Sequence, residues 1–209
     1  NTSGLAVIDI TDPTSPLAPV YMDTSGSAYS VTVVGNYAYV GDGSSGLAII
    51  DITDKANPGN PVYKNTSGFA YGVTVVGNYA YVADATSGLA IIDITDPTSP
   101  LAPVYMDTSG SAFGVTVVGN YAYVADLGTG LAIIDITDKA NPGDPVYMDT
   151  DGLAYGVTVV GNYAYVADRA SGLAVIDITD PTNPGAPVYM DTSDSAYGVT
   201  VVGNYAYVA

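Results

Sequence analysis

The chain of 209 residues has no cysteine, histidine or tryptophan, and its letters contain no glutamate or glutamine. Each absence removes a class of chemistry. Without cysteine there is no disulfide staple and no thiol nucleophile. Without histidine and glutamate, the commonest general bases and many metal ligands are missing. All 21 acidic residues are aspartate, and they face only four cations, Lys55, Lys64, Lys139 and Arg169, for a net charge of -17. That balance argues against nucleic-acid binding, which depends on clustered cations releasing counterions, and against anionic membrane surfaces. No apolar run reaches the roughly eighteen residues that would cross a bilayer, and no basic, apolar leader opens the sequence. The charge accounts most simply for the solubility of a chain in which 48% of residues are hydrophobic.

What is present is repetition. A Gly-Leu-Ala segment running into Ile-Asp-Ile-Thr-Asp begins at Gly4, Gly46, Gly88, Gly130 and Gly172, a step of 42 residues. Val-Thr-Val-Val-Gly-Asn-Tyr-Ala-Tyr-Val begins at Val31, Val73, Val115, Val157 and Val199 with the same step. A fixed period of this length marks units that bury their apolar faces by stacking on one another.

Within one unit, Gly72 to Val76 is a β-branched run ended by Gly77-Asn78, a dipeptide suited to a two-residue hairpin. Tyr79 to Ala83 returns, with both tyrosines on one face and Ala80 on the other. Leu89 to Ile94 is apolar on both faces and should be covered on both. A proline-rich turn then leads to the short strand Val104 to Asp107. All 13 prolines fall in this turn region or its copies, which marks the fourth strand as a protected outer edge.

Four antiparallel strands per unit, three buried on both faces, describe a blade. The chain begins before a third strand and stops after a second. Pairing Tyr205 to Val208 with Leu5 to Ile8 would therefore close a ring through a composite blade. The expectation is one all-β domain over residues 1–209, a closed five-bladed β-propeller of 42-residue, four-stranded blades.

The residues Gly88 to Pro97, together with Gly77 to Asp84, resemble the LVIVD repeat of bacterial and archaeal β-propellers. The resemblance covers every unit. It implies a propeller, often on exported or cell-surface proteins, and carries no shared activity and no catalytic residues.

Several motifs have a functional and a structural reading. Gly41 to Gly46 matches G-x-G-x-x-G, but a strand rather than a helix follows it, so a flexible loop explains the glycines. Asp149-Thr150-Asp151-Gly152 opens like a calcium loop, yet the distal bidentate glutamate is absent. Asp42, Asp84, Asp126 and Asp168 follow the second strands and could form a ring of carboxylates facing a ligand or holding calcium weakly. The competing reading, turn formation like that expected of Asp93 and Asp96, is preferred, and no other cofactor is expected. Tyr29, Tyr71, Phe113, Tyr155 and Tyr197 share one repeat position before the first strand, near the axis of a propeller. They either stack on a sugar or other planar ligand or fill the gap between blades, and the gap-filling reading is preferred.

No catalytic constellation emerges, and the same groups recur five times where an active site concentrates different ones. The expected function is a non-enzymatic scaffold or recognition module, monomeric, with strand exchange between copies as the alternative. It would bind an unknown protein or glycan through loops such as Asp84 to Ser87 and Asp107 to Ser111. The alternatives are a multivalent lectin and a purely structural, recently amplified or engineered repeat.

Overall fold

The structure, a computed structural model, describes residues 4–209. The loop expected at residues 1–3 lies outside them. β1 (Leu5–Val7) and β2 (Val20–Met22) form a two-stranded antiparallel sheet. Four four-stranded antiparallel sheets follow in chain order. The first holds β3 (Ser30–Val34), β4 (Tyr37–Gly41), β5 (Leu47–Asp51) and β6 (Val62–Lys64). The second holds β7 (Gly72–Val76), β8 (Tyr79–Ala83), β9 (Leu89–Asp93) and β10 (Val104–Met106). The third holds β11 (Gly114–Val118), β12 (Tyr121–Ala125), β13 (Leu131–Asp135) and β14 (Val146–Met148). The fourth holds β15 (Gly156–Val160), β16 (Tyr163–Ala167), β17 (Leu173–Asp177) and β18 (Val188–Met190). A last two-stranded sheet joins β19 (Val199–Val202) to β20 (Tyr205–Val208).

Register is set by the Gly-Asn hairpins. Val76 pairs with Tyr79 across the two-residue turn, and Gly77 sits at φ +58°, as a primed turn requires. That register sends Ala80 and Val82 to one face and Tyr81 and Ala83 to the other. Tyr81, Ala83, Leu89 and Ile91 pack against Ala122, Val124, Ala132 and Ile134 of the next sheet. Ala80, Val82, Ala90 and Ile92 pack against Tyr39, Leu47 and Ile49 of the preceding one. Large side chains of one sheet thus meet alanines of the next, which lets the faces interdigitate without voids. Leu89, Ala90 and Ile92 are 0% exposed, so the third strand is covered on both sides as its sequence predicts.

Two expectations require correction. The first strands are not buried on both faces: β7 buries Val73 but leaves its other positions half-buried or exposed. Nor does a composite blade form. β1–β2 and β19–β20 remain separate two-stranded sheets, giving four complete sheets flanked by two half sheets. Face packing fixes where the N-terminal pair of strands sits: Leu5, Val7 and Met22 lie on Ala38, Val40, Ala48, Ile50 and Ile52. Strand complementarity between the ends does not override that packing.

Candidate functional site

The five-aromatic position converges on one cavity. Each aromatic N–H extends its hairpin ladder by one bond: Tyr71 donates to the Ala83 carbonyl, Phe113 to Ala125 and Tyr155 to Ala167, each at 2.9 Å. Glycine then lets neighbouring first strands approach backbone to backbone, since a Cβ on Gly72 would lie 2.7 Å from the Phe113 carbonyl oxygen. Threonine hydroxyls fasten the same strands together. Thr74 Oγ1 donates to the Val115 carbonyl and Thr116 Oγ1 to Val157, both at 2.7 Å.

The outcome is a continuous arc of rings. Tyr71 and Phe113 stack at 4.1 Å between centroids with planes 13° apart. Tyr29 meets Tyr71 edge-on at 4.8 Å, and Phe113–Tyr155 and Tyr155–Tyr197 do the same at 5.0 Å. All five line a cavity of about 510 Å³ together with Ser30 and valines of the first strands. The rings touch one another and also bound open space. Tyr29 and Tyr197 are 56% and 52% exposed. Among the described residues, Ser30 Oγ is the buried side-chain oxygen without a partner, and Ser30 borders this cavity.

The loops after the second strands bridge to the residues that precede the aromatic position. Ala85 exchanges both backbone hydrogen bonds with Ala112, the residue before Phe113, and Gly43, Leu127 and Arg169 do the same with Ala70, Ala154 and Ala196. The loops expected to share a face do so. This bridging holds Ala85, Leu127 and Arg169 at φ +48°, +43° and +45°, a conformation that costs a non-glycine residue about 1–2 kcal/mol. The sequence carried one signal of it, the glycine at position 43. Its four occupants are all different, Gly43, Ala85, Leu127 and Arg169.

The aspartate ring serves another purpose. Asp42, Asp84, Asp126 and Asp168 are 0% exposed, and none of them borders the cavity. Asp84 Oδ1 accepts from Thr66 Oγ1 at 2.6 Å and Oδ2 from the Gly68 N–H at 2.8 Å, so the carboxylate clamps the linker arriving from the previous sheet. Asp42, Asp126 and Asp168 clamp Thr24, Thr108 and Thr150 alike. Their partners lie sixteen and eighteen residues upstream, unlike the local Asx turns at Asp93 and Asp96, where Thr95 and Thr98 donate two residues on. The reading of these four as ligand-facing is corrected: their oxygens are engaged within the chain. Tyrosines of the fourth strands complete the clamp, Tyr105 Oη accepting from the Ser67 N–H at 2.9 Å. Sequence reasoning missed that role, although a tyrosine recurs in every fourth strand. No group of three or more His, Cys, Asp or Glu side chains suited to a metal occurs among the described residues.

Burial pushes Asp84 and Asp168 above the ordinary carboxylate value of 3.8, against the hydrogen bonds that pull them down. Exposed Asp96 and Asp180 are held below it, by the hydroxyls and N–H groups of Thr98 and Thr182. The signs oppose. A raised folded value means that the folded state holds its proton more tightly, so this contribution to stability falls as pH rises from the unfolded value through the folded one. The turn carboxylates contribute above the unfolded value and lose that contribution as pH falls through their lowered values. Asp84→Asn removes one raised group, so its destabilisation relative to the parent should be larger at pH about 4 than at pH about 7. Urea unfolding at the two values checks this, and an unchanged difference would refute the sign.

Comparison with known proteins follows the same outline. The LVIVD repeat model matches residues 1–24, 25–65, 67–108, 109–149, 151–192 and 194–209. No curated protein matches the sequence. Among solved structures, a functionally unknown protein from Desulfotomaculum acetoxidans DSM 771 superposes with a TM-score of 0.73 at 12% identity, over 95% of this chain and 67% of that one. The computationally designed Ika8 protein gives 0.72 at 9% identity, over 100% of this chain and 68% of that one. The designed Ika4 protein gives 0.58 at 11%, over 74% and 93%. These likenesses concern the fold. The six repeat matches along its length show that the chain belongs to the LVIVD repeat family.

Proposed function

We propose that the chain is a non-enzymatic recognition scaffold of an exported or cell-surface protein, with propeller-type radial sheets and a working surface at the aromatic mouth of the axial cavity. The observation that supports this reading is the arc of five rings around open space. Aromatic faces suit the apolar faces of sugar rings. A net charge of -17 favours neutral over sulfated or uronic saccharides. The ligand class is therefore a neutral oligosaccharide.

Titration with a panel of neutral and acidic oligosaccharides, followed by tyrosine ring resonances and calorimetry, tests it. Neutral members should perturb Tyr29 and Tyr71, and the Tyr71→Ala, Phe113→Ala pair should weaken binding roughly tenfold or more, about 1.4 kcal/mol. Absence of any perturbation at millimolar saccharide would end the reading. A second reading, a structural role without ligand, is favoured by the contacts of the rings with one another. It expects Tyr71→Ala to lower stability with every titration silent.

A further inference from the structure

The repetition breaks at one place beside the aromatic arc. Two positions before the aromatic, the repeats carry Ser27, Phe69, Ser111, Leu153 and Ser195, so one unit adds a ring where the others have none. Phe69 is 49% exposed. Its ring centroid lies 6.3 Å from that of Tyr71 with the planes 24° apart, and Tyr71 both lines the axial cavity and meets Tyr29 edge-on.

The backbone under Phe69 is held on both sides. The preceding Gly68 N–H donates to Asp84 Oδ2 at 2.8 Å, and the following Ala70 exchanges two backbone hydrogen bonds with Gly43 at 3.0 and 3.1 Å. The counterparts of Gly43 in later units all carry a side chain, Ala85, Leu127 and Arg169. A Cβ on Gly43 would lie 3.1 Å from Tyr29 Cε2 and 3.7 Å from Phe69 Cδ1, so both rings reach over bare backbone. Tyr29, Phe69 and Tyr71 therefore gather around one glycine. A half-exposed aromatic on a fixed backbone loses little freedom when a ligand covers it, which is the property of a binding anchor.

We propose that Phe69, with Tyr29 and Tyr71, forms the principal saccharide subsite, an inference that rests on the neutral-oligosaccharide reading above. The apolar face of one sugar ring seats on Phe69, and the chain takes one oligosaccharide rather than one at each repeat. Serines at three matching positions offer no such face, and Leu153 offers no ring. Affinity thus comes from the unit that departs from the repeat.

Calorimetry with cellohexaose, maltohexaose and chitohexaose tests this. A saccharide that binds should do so at a single site per chain, with nuclear Overhauser contacts from its ring protons to Phe69. Phe69→Ser installs the residue that three other repeats carry, so the variant should keep the parent's melting temperature while binding about tenfold or more weakly. Phe69→Tyr keeps the aromatic face and should bind within about twofold of the parent, as should Leu153→Ser. Several equal sites per chain, or Phe69→Ser binding as tightly as the parent, overturns the proposal and leaves the wider reading of the aromatic mouth standing. Silence of the parent toward all three saccharides at millimolar concentration ends that reading, and this proposal with it.

Discussion

Asp84→Ala should cost about 2–5 kcal/mol of unfolding free energy, because it strands two buried donors at once. Thr66 Oγ1 and the Gly68 N–H both end on this carboxylate, and Thr66 is 4% exposed. Removing the charge also relieves the desolvation that pushes Asp84 upward. That gain is the smaller effect, since the Thr66 hydroxyl left behind is buried. Asp84→Asn keeps an acceptor for Thr66 but sets an amide NH₂ against the Gly68 N–H, so its cost should be about half. Urea unfolding at neutral pH measures both, and a loss below about 1 kcal/mol for the alanine variant would show that the clamp is dispensable.

Gly88→Ala should be comparably severe, whereas Gly77→Ala should be mild. Both glycines have positive φ, +71° and +58°, so both substitutions carry the left-handed cost of about 1–2 kcal/mol. They differ in surroundings. A Cβ on Gly77 would meet nothing within 4 Å. On Gly88 it would strike the Met106 carbonyl and lie 2.6 Å from the Thr108 nitrogen, both backbone atoms of the adjoining fourth strand and its exit. Relief requires moving the strand that carries the clamp threonine, so the expected loss is about 3 kcal/mol or more. Thermal melts of the two variants should separate clearly, and equal melting temperatures would refute the steric account.

Much of the fold was legible because the signals were local and repeated. Gly77-Asn78 fixed the hairpin, the double-faced Leu89 to Ile94 marked a strand covered on both sides, and the confinement of proline placed the outer edge. The closed ring was not legible, since whether Tyr205 meets Asp9 depends on the accumulated angle between packed sheets, which no local pattern encodes. The aromatic position was found from its recurrence alone. The aspartates stand out in sequence too, but Asp84 looks the same there whether it faces a ligand or Thr66, and only the fold brings the linker under it. Tyr105 escaped notice because a tyrosine on an outer strand reads as surface, and its partner Ser67 lies 38 residues away.

The clamps link each unit only to its immediate neighbours: the carboxylate grips the incoming linker, the outer tyrosine caps it, and threonine ties adjacent inner strands. An interior unit is secured from two directions and a terminal one from a single direction. Amide protons should consequently exchange with deuterium in a graded order, fastest in β1, β2 and β20 and slowest around Ala122 and Ile134, the sequence of opening running inward from both extremities.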